Sequence, residues 1–250
     1  MSPRDRRRLC RRSYHHLGMM VVELSAVLTH PLERALRSVT VDGIENLEAV
    51  MKAHRRALVL TAHLGNWELL SVAHRLARYP LTIVTRPLDS RGLNALAARL
   101  RERAGVEMVD KRDAVRPVLR ALAAGRLVGI LLDQNTARHE GVFVPFFGHL
   151  ASTSKSVAVL ALRTGTPVVP IFTLREEGGC HRVIVGNVVP TPSGLASAEG
   201  IVEMTRRCTL VIEEAVRMRP DQWLWMHARW RTRPPESREG AGRPVAPPQR

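Results

Sequence analysis

From residue 57 onward, short runs rich in β-branched residues and leucine alternate with longer amphipathic stretches, and this alternation constrains the fold more than any other feature of the chain. Runs of period two and runs of period 3.6 share one core in that order when each helix crosses over a mainly parallel sheet. The expected class is therefore α/β, with a mainly parallel sheet flanked by helices. Strands are expected at 57–61, 81–85, 106–109, 126–132, 167–174 and 181–189, and helices at 67–78, 93–104, 115–124, 154–163 and 198–218. A polar, glycine-containing stretch at 134–150 breaks the pattern and reads as a loop. Its apolar centre, VFVPFFG, is unusual for solvent and is expected to cover something. No repeat of 20 to 50 residues appears.

At 250 residues and 45% apolar, the chain can bury a full core as one large domain, placed at 41–233. Residues 1–40 read as a basic leader and a helix, and 234–250, rich in Pro, Gly and charge, as a disordered tail. The net charge of +15 points to an anionic partner: nucleic acid, anionic lipid or a phosphorylated substrate. Most of the excess is terminal. Residues 1–12 hold six Arg and one Asp, and residues 229–250 hold six Arg and two Glu. Arg outnumbers Lys throughout, so compositional bias explains the charge as well as a partner does.

Beside the basic leader, residues 17–28 read LGMMVVELSAVL. Spanning a bilayer takes roughly 20 apolar residues, so this stretch is too short, and it lacks a signal-peptide cleavage pattern. It reads as a helix that either packs on the core or lies in the membrane interface. Cys10, Cys180 and Cys208 are odd in number and form no CxxC pair, which argues against a disulfide framework or a structural zinc site.

The chemistry-bearing segment is His63-Leu64-Gly65-Asn66-Trp67-Glu68, at the end of the first strand of the alternation. On one continuous helix His63 and Glu68 would stand about 140° apart and could not meet. A strand, turn and helix solves this: Gly65 makes the turn, Asn66 caps the helix, and Glu68 sits in its first turn facing His63. A histidine held by a carboxylate is a general base, because the carboxylate sets the tautomer and stabilises the imidazolium. A histidine at a strand end is also often structural, and a glutamate near a helix start is often only a dipole partner, so spacing alone leaves both readings open. Metal binding is not expected, since HExxH is absent and no Cys or Asp nearby completes a site.

HLGNWE resembles the HxxxxD/E box of membrane glycerolipid and lipid A acyltransferases. Further landmarks follow in that family's order: Thr85-Arg86-Pro87, Leu132-Asp133-Gln134-Asn135, the segment Val142–Gly148, Ala151-Ser152-Thr153, and Pro220–Pro234 with its three tryptophans. Over residues 40–234 the chain resembles the bacterial lipid A biosynthesis (lauroyl/myristoyl) acyltransferase family, with Thr85 where that family often has Tyr. The resemblance implies a glycerol-3-phosphate acyltransferase-like fold. It also implies transfer of a fatty acyl group from a thioester donor, usually acyl carrier protein, to a glycolipid hydroxyl at the cytoplasmic face of the inner membrane. Members commonly begin with a membrane-anchoring helix. Here only 17–28 corresponds to it, so the chain is expected to be a shortened version or one with a misplaced start, attached peripherally.

On this reading His63 is the base and Glu68 orients it. Arg86 contributes to the oxyanion site or grips acceptor phosphate. Asn66 binds substrate. Asp133 and Gln134, at another strand end, shape it or bind acceptor, or else merely cap a loop. Phe146 and Phe147 wall the acyl chain or belong to ordinary core. Arg229 binds substrate, and Trp223, Trp225 and Trp230 suit the headgroup layer or belong partly to the core. No cofactor is expected, as neither GxGxxG nor GxxxxGK[ST] occurs, and the absence of GxSxG speaks against a hydrolase. Two alternatives stand: an acyl-CoA-dependent lysophospholipid or phosphatidylinositol mannoside acyltransferase, and a non-catalytic basic nucleic-acid binder. Against the last, aromatic content is 4% and no nucleic-acid-binding motif is present, so no specific nucleic-acid partner is expected.

Overall fold

The computed structural model describes residues 1–86, 91–192 and 197–235. In chain order the elements are α1 (Pro3–Thr29), α2 (Leu32–Leu36), β1 (Val39–Asp42), α3 (Ile44–His54), β2 (Ala57–Thr61), α4 (Trp67–Ala77), β3 (Leu81–Thr85), α5 (Arg91–Arg103) and β4 (Glu107–Asp110). They continue as α6 (Val115–Ala123), β5 (Leu127–Leu131), β6 (Gly141–Phe146), β7 (His149–Ser154), α7 (Ser156–Thr164), β8 (Val168–Arg175), β9 (His181–Val185) and α8 (Ala198–Met218). Seven strands form one sheet in the order β1-β9-β8-β2-β5-β3-β4. Each neighbouring pair is parallel except β8 with β9, which a short turn joins as an antiparallel pair. The α/β class read from the alternation is the class observed.

The two-sided burial of the central strands explains their unbroken apolar runs. In β2, Leu58 and Leu60 join Val128, Ile130, Val157, Met204 and Ile212 on the face covered by α6, α7 and α8. Ala57 and Val59 join Leu47, Leu69, Val72 and Leu100 on the face covered by α3, α4 and α5. Alternation along a strand thus feeds two cores.

Four expectations change. The helix of the leader begins at Pro3, well before 17, because Ser2 caps it through Asp5 N at 3.1 Å and Pro3 suits the first turn. Its inner face, including Ser13, His16, Met20 and Val27, is buried against the rest of the chain, so this helix packs on the core. Second, residues 32–54 carry α2, β1 and α3, which lie before the point where the alternation is evident. Third, the loop at 134–150 is in good part a hairpin: β6 pairs antiparallel with β7 from Gly141↔Ser154 to Phe146↔His149. Its two-residue turn is Phe147-Gly148, with φ of 51° and 76°, the positive pair a tight hairpin needs. The strand expected at 181–189 is shorter, ending at Val185. Pro87 and all but the first two residues of the tail at 234–250 lie outside the described residues.

Candidate active site

β2 and β5 are neighbours, and Thr61 stands opposite Leu131 in their parallel register. The ladder continues one step beyond, with Leu132 N donating to Thr61 O at 3.1 Å. Two residues past the paired ends, this register sets His63 beside Asp133. The Asp133 Oδ1 lies 2.8 Å from His63 Nδ1, and Oδ2 accepts from the His63 amide at 2.9 Å and from Trp223 Nε1 at 2.8 Å. Asp133 is only 3% exposed. Burial opposes its charge, but the imidazole, the indole N–H and the His63 amide outweigh that and hold its carboxyl below the usual range.

An ionised carboxylate only accepts, so Nδ1 carries the hydrogen and Nε2 presents a lone pair. That nitrogen faces the partly exposed side of the ring, where the Gln134 side-chain amide lies 3.3 Å away. Trp67 closes one flank, its ring centroid 5.0 Å from the imidazole in an edge-on arrangement. The chain segment after α8 closes the other: Gly65 N donates to Gln222 O and Leu224 N to His63 O, making a short antiparallel bridge at Leu64 and Trp223. Gly65 has φ +60°, and a β-carbon there would fall 1.7 Å from the Thr173 carbonyl oxygen, so the turn admits only glycine.

Glu68 does not take the part expected of it. Its carboxylate is held by Arg101 of α5 through Nε at 3.0 Å and Nη2 at 2.6 Å, a bidentate pair buried between α4 and α5. Being close to His63 in sequence, Glu68 was the obvious carboxylate; strand pairing delivers one from 70 residues away instead. The Asn66 side chain makes no helix cap and is fully buried, donating to Glu23 of α1 at 2.8 Å. Arg86 stands exposed one residue beyond β3, on the same carboxyl edge of the sheet as His63 and Asp133.

Arg229 is 1% exposed and beneath the site rather than in its mouth. It donates to Gln134 O at 3.2 Å, Ser152 O at 2.7 Å and Thr153 Oγ1, and stacks over Phe146, tying the hairpin to the end of β5. Burial lowers its pKa to about 10, with the Asp133 charge pulling the other way. Phe146 is fully buried among Phe147, Trp223 and Trp230, which is core packing, while Phe147 is half-buried on the turn. Trp223, read as suited to the headgroup layer or as part of the core, is buried in the core and holds Asp133. Sequence reasoning also missed His227, whose Nε2 accepts from the Asn135 amide at 2.6 Å and whose pKa burial lowers. The signal for it was in view, since His227 belongs to the landmark segment at 220–234.

An open-edged, mainly parallel sheet that presents an imidazole, backed by a buried carboxylate, at the carboxyl ends of two adjacent inner strands defines an α/β protein equipped to take a proton from a hydroxyl. The chain belongs to the bacterial lipid A biosynthesis acyltransferase family, whose sequence model matches residues 1–232. It is therefore an acyltransferase. It is 27% identical to the lipid A biosynthesis lauroyltransferase of Escherichia coli K12 over 235 residues, 94% of this chain and 75% of that protein. It is 25% identical to the palmitoleoyltransferase of the same organism, over 93% of this chain and 74% of that protein. A phosphatidylinositol mannoside acyltransferase of Mycolicibacterium smegmatis is 28% identical over 140 residues, 54% of this chain and 46% of that protein.

Proposed function

We propose that the protein moves a fatty acyl chain from an acyl thioester, with acyl carrier protein the preferred donor, to a hydroxyl group of a lipid A precursor. The observation that carries the mechanism is the His63–Asp133 contact at 2.8 Å with Nε2 turned to the open side. Nε2 takes the proton of the acceptor hydroxyl as its oxygen attacks the thioester carbonyl, and Asp133 stabilises the imidazolium that forms. The tetrahedral intermediate then collapses, the C–S bond breaks, and the imidazolium returns its proton to the departing thiolate. Gln134, beside Nε2, supplies a side-chain N–H donor to the reacting oxygens, and Arg86 on the same edge attracts acceptor phosphate.

The work is done at the cytoplasmic face of the inner membrane, with peripheral attachment. The outer side of α1 supports this reading: Tyr14, Val21 and Val22 are exposed there, and Arg4, Arg6, Arg7, Arg8, Arg11 and Arg12 crowd the helix start. Each basic residue near an anionic leaflet contributes about 1 kcal/mol. No helix among the described residues is long and apolar enough to cross a membrane.

Similarity to the mannoside acyltransferase supports a second reading, with a phosphatidylinositol mannoside as acceptor. Purified protein offered acyl carrier protein and CoA thioesters, each with lipid A precursor and with the alternative acceptors, separates the two by product mass. His63→Ala is expected to abolish transfer while the circular dichroism spectrum is unchanged, because the side chain lies at a strand end outside both cores. Near-normal turnover in that variant would refute the mechanism.

A further inference from the structure

Glu23 and His16 lie on the inner side of α1, and both reach the turn that carries His63. The Glu23 carboxylate accepts from Asn66 Nδ2 at 2.8 Å and from Arg175 through Nε at 2.7 Å and Nη2 at 2.6 Å, and His181 Nε2 lies 3.3 Å away. Burial opposes the Glu23 charge, yet hydrogen bonds from His181, Arg175 and Asn66 bring its pKa down to about 2. His16 Nδ1 receives Arg175 Nη1 at 2.5 Å. A guanidinium only donates, so Nδ1 is bare and the hydrogen sits on Nε2, which donates to the Gly65 carbonyl at 3.2 Å. Burial and the Arg175 charge push the His16 pKa down to about 4, which keeps the ring in the neutral form this geometry requires.

The same cluster reaches both members of the His63–Asp133 pair. One route runs through Gly65 and Asn66, two and three residues after His63. The other runs from Arg175, whose backbone exchanges hydrogen bonds with the Gln222 side chain at 2.8 Å each, to Trp223, which holds Asp133. Met20 and Val27 already bury apolar surface under α1, so ordinary helix docking does not need a carboxylate and an imidazole there.

We infer that Glu23 and His16 are positioning residues for acyl transfer: α1 clamps the Gly65-Asn66 turn so that His63 stays against Asp133. This rests on His63 being the base. The test uses full-length protein carrying E23A, E23Q, H16Q, V27A or H63A, with kcat, acceptor KM and thermal midpoint measured for each. E23A is expected to lower kcat about 10- to 100-fold, as small misplacements of reacting groups do, with acceptor KM held within about twofold. E23Q, which keeps an acceptor for Asn66 but loses the charge facing Arg175, should fall between E23A and wild type. V27A should lower the midpoint and leave kcat unchanged, because it loosens α1 without touching the turn. Equal kcat losses in V27A and E23A at equal thermal loss, or E23A turnover within twofold of wild type, would overturn the positioning role. Should E23A fail to fold, E23Q and H16Q, each removing fewer contacts, are held to the same criteria. An inactive H63A with normal E23A overturns this inference alone, whereas an active H63A overturns the base assignment and this inference with it.

Discussion

Asp133→Asn changes one atom of the site and tests its electrostatics. Three N–H donors converge on the carboxylate: the His63 amide and Trp223 Nε1 on Oδ2, and His63 Nδ1 on Oδ1. An asparagine offers one oxygen and one NH₂ group. The amide and the indole can only donate, so they claim the oxygen, and the NH₂ then faces His63 Nδ1. The imidazole answers by moving its hydrogen to Nε2, and the lone pair that would accept the acceptor's proton is gone. Loss of the charge removes the stabilisation of the imidazolium as well. A wrong tautomer in a comparable histidine–carboxylate pair costs about 10⁴-fold, so kcat is expected to fall about 10³- to 10⁴-fold, which is about 4 to 5.5 kcal/mol on the barrier. Because each donor keeps an acceptor after the tautomer change, the stability loss should stay near 1 to 3 kcal/mol, the scale of one compromised buried hydrogen bond. Single-turnover transfer from acyl carrier protein, followed by product mass beside a thermal melt, reads both quantities. Turnover within tenfold of wild type in a folded Asp133→Asn protein would refute the argument that this carboxylate sets the tautomer.

Glu68→Ala should act chiefly on stability, at about 3 kcal/mol, because it strands the Arg101 guanidinium between two helices. Its kcat loss should be smaller than that of Asp133→Asn, and a denaturant melt beside steady-state kinetics checks the ordering. Arg86→Ala should raise the KM for a phosphorylated acceptor several-fold with little change in kcat, measured by acceptor titration against a dephosphorylated analogue. The pH dependence of stability follows from His16. Its folded pKa near 4 lies below its unfolded value near 6.5, so between those values the unfolded chain binds more protons. Stability is expected to be lost as pH falls from 6.5 to 4. His16→Gln should flatten part of that slope in urea titrations; the lowered pKa values of His74 and His227 act in the same direction.

Much of the scaffold was legible along the chain. β2, β3 and β5 are short, strongly apolar and bounded by turn residues, and α8 shows its spacing and its Ser197 cap, so each reads from local pattern alone. The β6–β7 hairpin did not, because its Phe147-Gly148 turn lacks the usual Asn-Gly signature and Pro145 lies within the strand. β1 escaped notice as a four-residue edge strand whose burial alternates only weakly.

Of the site, the sequence by itself determined the cast: His63 after a strand, Gly65 where the backbone must turn left-handed, Asp133 and Gln134 after another strand, and a tryptophan-rich segment near the end. Tertiary structure decided the partnerships. Which carboxylate meets an imidazole depends on the register between strands 70 residues apart, and local spacing carries no information about that register. Neighbourhood in the chain favoured Glu68, yet helix geometry turns that side chain toward α5 and Arg101. The same reason explains Glu23, the acid within the mostly apolar stretch at 17–28, which acquires meaning only when folding sets Asn66, Arg175 and His181 around it.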